Sequence, residues 1–243
     1  MKHYDAREWG RECAKSFHKL AHKTKFEIDR LNRTLVQLIP PNSLVLDAGC
    51  GKAGIATLPN AGVWKVIGVD ISPDLIKIAT KNKSSPHHQF LIADITRLPF
   101  KNGSFNAVVF IAVLHHIPNV EVALKEAKRV LRSSGILFIQ EPNKYSYQLF
   151  FLGKRAPFSS LVWGKLHDPN ERPLDPKKIL EILRKENLKS YYEGVNIIPL
   201  SLLSILPKKI AEILNNLDRR IMRVFASSII GPANFRIVAK LEG

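Results

Sequence analysis

The residues best placed to do chemistry are three aspartates, each closing an apolar run. Asp47 follows Leu44-Val45-Leu46, Asp70 follows Val66-Ile67-Gly68-Val69, and Asp94 follows Phe90-Leu91-Ile92-Ala93. Between the first two lies Gly49-Cys50-Gly51-Lys52-Ala53-Gly54. Glycines at such a strand-to-helix turn let the backbone swing sharply and approach a ligand, because no Cβ stands in the way. An acid at the tip of the second strand is placed to accept hydrogen bonds from ribose hydroxyls. Asp94, with the apolar Ile95 after it, can bind an adenine amino group and cover its ring. The set predicts an adenosine-containing cofactor. The spacing Gly49-x-Gly51-x-x-Gly54 also fits a dinucleotide fingerprint, which alone is a weak signal. Asp47 argues against that reading: a carboxylate there repels a pyrophosphate and suits a ligand carrying an ammonium and a sulfonium.

The elements that must hold these residues alternate along the chain. Strands are predicted near 44–48, 65–70, 88–93, 105–111 and 135–141, and helices near 53–59, 73–83 and 120–132. Ser72-Pro73-Asp74 is a helix start with proline in the first turn, and Ser133-Ser134-Gly135 reads as a helix stop. Strand–helix repetition implies a parallel sheet covered on both faces, with ligands at the carboxyl ends of the strands. Residues 5–39 read as two helices ended by Pro40-Pro41. Later, Asp175-Pro176 starts a helix over 175–187, and strands are predicted at 189–195 and 235–241.

Over residues 44–142 the chain resembles the class I S-adenosylmethionine-dependent methyltransferases, in the group called type 11. The resemblance rests on Val45-Leu46-Asp47-Ala48-Gly49-Cys50-Gly51, Gly68-Val69-Asp70-Ile71-Ser72 and Ala93-Asp94-Ile95 with Leu98-Pro99-Phe100. It continues in Ser104-Phe105-Asn106-Ala107-Val108, Val113-Leu114-His115-His116-Ile117 and Leu131-Arg132-Ser133-Ser134-Gly135-Ile136-Leu137. The group's usual third loop glycine falls at Ala53, with Gly54 expected to compensate by a one-residue shift. Asn106 replaces the usual acid, without consequence for chemistry. The resemblance implies a Rossmann-like α/β fold, a doubly wound and mostly parallel seven-stranded sheet whose last two strands form an antiparallel hairpin. It implies S-adenosyl-L-methionine as cofactor, contacted by Asp47, Gly49, Cys50, Gly51, Asp70, Ile71, Asp94, Ile95, Ile111 and Ala112.

Methyl transfer from a sulfonium is an in-line displacement, so the protein mostly positions the acceptor and excludes water. A base is needed only where the acceptor must lose a proton. His115 and His116, after the fourth strand, are candidates, weighed against a packed or helix-capping role. His167, amid Asp168, Glu171 and Arg172, is a rival. No metal is expected, because no second histidine or cysteine stands at ligand spacing.

A single domain is expected: N-terminal helices over 1–43, the cofactor-binding core over 44–142, and cap insertions over 143–174 and 196–234. The first insertion carries Tyr145, Tyr147, Phe150, Phe151, Phe158 and Trp163. The second holds long aliphatic stripes beside Lys208-Lys209 and Arg219-Arg220. It reads as a cap over the acceptor, a surface resting on a membrane, or a dimer interface. The oligomeric state is left open.

The acceptor expected is a small or lipid-linked molecule. A net charge of +16 raises RNA as an alternative. The excess is spread over the chain without a run of five basic residues, and no Asn-Pro-Pro-Tyr-like motif follows the fourth strand. RNA is therefore the less favoured acceptor. A non-catalytic protein of the same fold is the third reading, opposed by the intact acids at three strand tips. Two cysteines, Cys13 and Cys50, offer no disulfide framework, and no signal-peptide core opens the chain, so a cytoplasmic protein is expected.

Overall fold

The computed structural model describes residues 25–145, 172–196, 207–229, 232 and 234–241. Its centre is a seven-stranded sheet: β1 (Leu44–Ala48), β2 (Lys65–Asp70), β3 (Gln89–Ile92), β4 (Phe105–Ile111), β5 (Leu131–Pro142), β6 (Leu188–Asn196) and β7 (Asn234–Leu241), in the order β3-β2-β1-β4-β5-β7-β6. The first five strands are parallel, and β7 runs antiparallel between β5 and β6. The helices among the described residues are α1 (Lys25–Leu38), α2 (Pro73–Asn82), α3 (Val120–Val130), α4 (Pro176–Lys185) and α5 (Lys208–Phe225).

Alternation along the strands builds two cores. On β4, Val108 and Phe110 face a cluster with Leu124 of α3 and Leu183 of α4. Ala107 and Val109 face the other, with Leu31 and Leu35 of α1, Ala79 of α2 and Trp64. Both sheet faces are thus filled, which is why the central strands read as unbroken apolar runs. Trp64 Nε1 donates to the Ile39 carbonyl at 3.2 Å, tying the end of α1 to the entry of β2. Ser72 caps α2 through the Leu75 amide, with Pro73 in the first turn. Asn106 has a structural role: its Oδ1 accepts from the Leu44 amide at 2.9 Å and fixes the start of β1 beside β4.

Two expectations are corrected. The helix expected over 53–59 is instead a pair of short 3₁₀ turns, Gly54–Thr57 and Ala61–Val63. Gly54 enters with φ +36°, and Pro59 withholds an amide that an α-helix would need. The helix expected over 120–132 ends at Val130, and the Ser133-Ser134-Gly135 stop lies inside β5. Leu131 pairs with Phe105, and an irregularity between Phe105 and Ala107 absorbs the intervening residues of β5.

The last two strands form the expected antiparallel hairpin. The described part of the segment between them, α5, packs against β6, and its Asp218 meets Arg30 of α1 at 3.6 Å. The first N-terminal helix, most of the aromatic segment and residues 197–206 lie outside the described residues. Among the described residues, no helix is long and apolar enough to cross a membrane.

Candidate active site at the strand tips

The sheet order reverses between β1 and β4, and the crevice at their carboxyl ends is where an open α/β sheet receives a ligand. The glycine loop leaves β1 there. Gly49 and Cys50 donate their amides to the Val69 carbonyl at 2.8 and 2.9 Å, folding the loop back over β2. Gly49 has φ +80°, and a Cβ built on it would stand 2.2 Å from Val113 Cγ2. Glycine is therefore required by conformation and by space. A Cβ on Gly51 would meet nothing within 4 Å, so this backbone faces open room that a ligand can enter.

Asp70 stitches the loop to the next helix. Its Oδ2 accepts from the Gly51 amide at 3.0 Å and its Oδ1 from the Ser72 amide at 2.9 Å. An ionised carboxylate has about four acceptor positions, so hydroxyl groups can still be received. Burial pushes its carboxyl above the usual range, opposed by those amides and that of Ile71. Ile71 is half-buried beside it.

Asp47 is buried, and its Oδ2 accepts from the Ile55 amide at 2.9 Å. It frames the loop from beneath. Burial, with the nearby charge of Asp70, pushes its carboxyl up to about 7 against the pull of the Ile55 amide. Ala53 occupies the left-handed conformation itself, at φ +103°, where the family places glycine. The expected shift to Gly54 is corrected: Gly54 serves a different need, close approach to Asp47. Cys50 is buried against Gly68, and burial pushes its thiol far up, so it packs rather than reacts.

Asp94 is exposed, and its Oδ1 accepts from Thr96 N at 2.8 Å and Thr96 Oγ1 at 2.7 Å. Ile95 packs into the core with Leu98 and Phe105. Ile111 is half-buried, and Ala112 is exposed with φ +52°, its amide donating to the Gln140 carbonyl at 2.9 Å.

Across this opening the candidate His115 meets Glu141, a partner that sequence reasoning missed. Glu141, at the end of β5, is 1% exposed. Its Oε1 accepts from the Val113 and Leu114 amides at 2.9 and 2.8 Å, and its Oε2 lies 2.7 Å from His115 Nδ1. A carboxylate receiving two amide protons acts as acceptor, so Nδ1 carries a hydrogen toward Glu141 and the ring orientation is fixed. His116, half-exposed, lies against the His115 ring with centroids 3.9 Å apart. Glu141 was legible only as an acid ending an apolar strand; its partner stands 26 residues earlier. His167 lies outside the described residues. Among the described residues, no three His, Cys, Asp or Glu side chains gather as a metal site.

Residues 46–139 match the family described as a methyltransferase domain, of the type 11 group. The chain belongs to the class I S-adenosylmethionine-dependent methyltransferases. Its cofactor is S-adenosyl-L-methionine, and the loop's open backbone and the acid at the β2 tip fit that ligand. An uncharacterized protein of Methanocaldococcus jannaschii is 29% identical to this methyltransferase, over 79% of each chain. A demethylmenaquinone methyltransferase of Staphylococcus carnosus is 30% identical over 62% of this chain and 66% of its own length. A solved methyltransferase of Thermotoga maritima, described as a possible histamine N-methyltransferase, superposes with a TM-score of 0.66 at 18% identity. It covers 97% of this methyltransferase and 99% of its own chain, which shows the shared fold.

Proposed function

We propose that this methyltransferase transfers a methyl group to an oxygen, or to a ring carbon activated by loss of a hydroxyl proton, of a small or lipid-linked acceptor, with an isoprenoid-linked hydroquinone as the favoured class. The observation that carries the reading is the buried His115–Glu141 pair at the tips of β4 and β5. A fixed imidazole beside the crevice is of use where the acceptor must lose a proton. The likeness to a demethylmenaquinone methyltransferase supports the choice of acceptor.

In this reading the residues take the following roles. The cofactor supplies the reactive methyl carbon and a thioether leaving group. Asp70 accepts hydrogen bonds from the ribose, Asp94 from the adenine amino group, and Ile71 covers apolar surface. The backbone at Gly49–Gly51 and at Ile111–Ala112 borders the methionine portion. Asp47 keeps the loop closed and offers negative charge toward the ammonium. Glu141 orients the His115 ring to receive the acceptor's proton, and His116 packs against that ring. The excess positive charge of the chain is surface charge in this reading, and RNA is the competing acceptor.

Two measurements test the proposal. Calorimetry should show S-adenosylhomocysteine binding and no dependence on NAD, with Asp70→Ala costing about 1.5–3 kcal/mol, the scale of a hydrogen bond to a charged group. Methyl-labelled cofactor should pass label to isoprenoid hydroquinones. Label entering transfer RNA and no quinol would overturn the acceptor assignment and leave the cofactor reading intact.

A further inference from the structure

Five arginines meet on one cavity, away from the His115–Glu141 pair. The cavity has a volume of about 550 Å³ and is lined by Arg30 of α1, Arg219, Arg220 and Arg223 of α5, and Arg236 of β7. Glu193 is the one acid among its described lining residues. Its place on the sheet follows from strand alternation. The Arg236 guanidinium lies over the Phe138 ring at 5.5 Å, and Phe138 belongs to the core on the α1 side. Gln140, two residues on, also meets Arg236. Glu141 points to the opposite face. The cavity and the methyl-transfer site therefore lie on different faces of the sheet.

Among the described residues that line the cavity, cations outnumber acids. Glu193 pairs with Arg236 at 3.0 Å, and Asp218 pairs with Arg30 at 3.6 Å. Asp29 and Glu212 stand with Arg30 and Arg219 in an adjoining pocket, while Arg220 and Arg223 have no acid paired with them among the described residues. Burial holds Arg30 below the usual guanidinium range, with Arg219 adding to the effect, and burial holds Arg236 down with Arg30 adding. Like charges gathered at one wall repel unless a counter-charge joins them, most of all at the buried Arg236 and half-buried Arg30. One donor is also left over. Arg236 is 5% exposed and gives Nη1 to Glu193 and Nη2 to Gln140, while its buried Nε has no hydrogen-bond partner among the described residues. A buried cationic N–H without an acceptor is costly, so the protein leaves this corner of the cavity short of acceptors.

We propose that this cavity binds a phosphate-bearing anion, either a free phosphoester or diphosphate or the headgroup of a lipid. Guanidinium groups present planar forks of donors that match phosphate oxygens, so an arginine-lined cavity favours phosphate over a lone carboxylate. The volume holds a diphosphate with room to spare. One feature bears on the source. Ile213, Leu217 and Val224 are exposed on α5, at 66%, 47% and 74%, along a row that borders Arg220. Such a row beside arginines suits a helix lying on a lipid surface while its cations hold phosphates.

The test uses the full chain. Inorganic pyrophosphate, at constant ionic strength, should raise the melting temperature and bind by calorimetry. The double variant Arg220→Glu, Arg223→Glu alters two exposed positions and should bind S-adenosylhomocysteine as the parent does. Its pyrophosphate affinity should fall on the order of tenfold or more, the scale of losing charge-assisted hydrogen bonds. Sedimentation with phosphatidylcholine vesicles, with and without phosphatidylglycerol, separates the sources. Retention only on the anionic vesicles, competed by pyrophosphate, assigns the lipid headgroup. A pyrophosphate response without retention assigns a free phosphate compound. Absence of both responses overturns the proposal, as does undiminished binding by the double variant. Binding of RNA with no response to pyrophosphate also overturns it.

Discussion

Gly54 and Asp47 touch so closely that a Cβ on Gly54 would stand 2.2 Å from Asp47 Oδ2. Gly54→Ala should therefore destabilise the fold by about 2–5 kcal/mol, combining overpacking with left-handed backbone strain. Gly51→Ala meets no neighbour and should cost only about 1–2 kcal/mol of strain. Its methyl would instead enter the open room beside the loop and weaken S-adenosylhomocysteine binding. Urea unfolding and calorimetry on both variants check the split. Equal stability losses would show that the Asp47 contact yields freely.

Ala53 offers the reverse test. A buried Ala→Gly change ordinarily loses about 0.8 kcal/mol of methyl burial and a further 0.4–1 kcal/mol through the freer unfolded chain. At φ +103° the alanine also carries strain of about 1–2 kcal/mol, which glycine relieves. Ala53→Gly should come out within about 1 kcal/mol of the parent. A loss above about 2 kcal/mol would mean that this backbone carries no such strain.

The raised Asp47 carboxyl makes a pH prediction. Its folded value of about 7 lies above the ordinary carboxylate range, so the folded state holds a proton that the unfolded chain gives up. The stability it contributes is fully present at acid pH and is lost as pH rises from about 4 to about 7. Asp47→Asn should flatten that decline. An ammonium beside Asp47 favours the ionised form, so S-adenosylhomocysteine should bind more tightly through neutral pH and release a proton. Calorimetry in buffers of different ionisation enthalpy reads the proton directly. Proton release that persists in Asp47→Asn would assign it to another group.

His115→Ala should lower methyl transfer by about 10²–10⁴-fold, the usual contribution of a general base, with S-adenosylhomocysteine affinity unchanged. It should also cost about 1–3 kcal/mol of stability, because Glu141 loses its side-chain partner while buried. Glu141→Gln keeps the shape and should reduce transfer by weakening the hold on the ring. Wild-type turnover in His115→Ala would leave the pair a structural one.

The strand tips were legible because each aspartate ends a short apolar run, and a buried parallel strand leaves few other patterns. The loop's chemistry was legible in part. Glycine at 49 and 51 announced a close turn, but nothing local revealed that Ala53 would take a left-handed conformation. That is imposed by Asp47 holding Ile55 and by Cys50 accepting the Ala53 amide. The helix expected after Gly54 failed because Gly54 and Pro59 act within one turn of each other. The stop at Gly135 misled because the pairing of Leu131 with Phe105 overrides local preference. Glu141 and His115 meet only when β4 and β5 lie side by side, and sheet neighbours cannot be read from either strand alone. The arginine cavity is hidden for the same reason, since its wall draws on α1, α5 and β7.

The hairpin of β6 and β7 has a narrow neck. Asn196 pairs with Asn234, and Asn234 Nδ2 donates to Asn196 Oδ1 at 3.0 Å. The whole segment carrying α5 leaves and re-enters the sheet at that one rung. Lengthening a loop between ends already held together is cheap, about 0.6 kcal/mol per doubling. Ancestors of this chain could therefore exchange the intervening segment as a cassette, resetting what the protein docks against while the cofactor loop after β1 inherited no change.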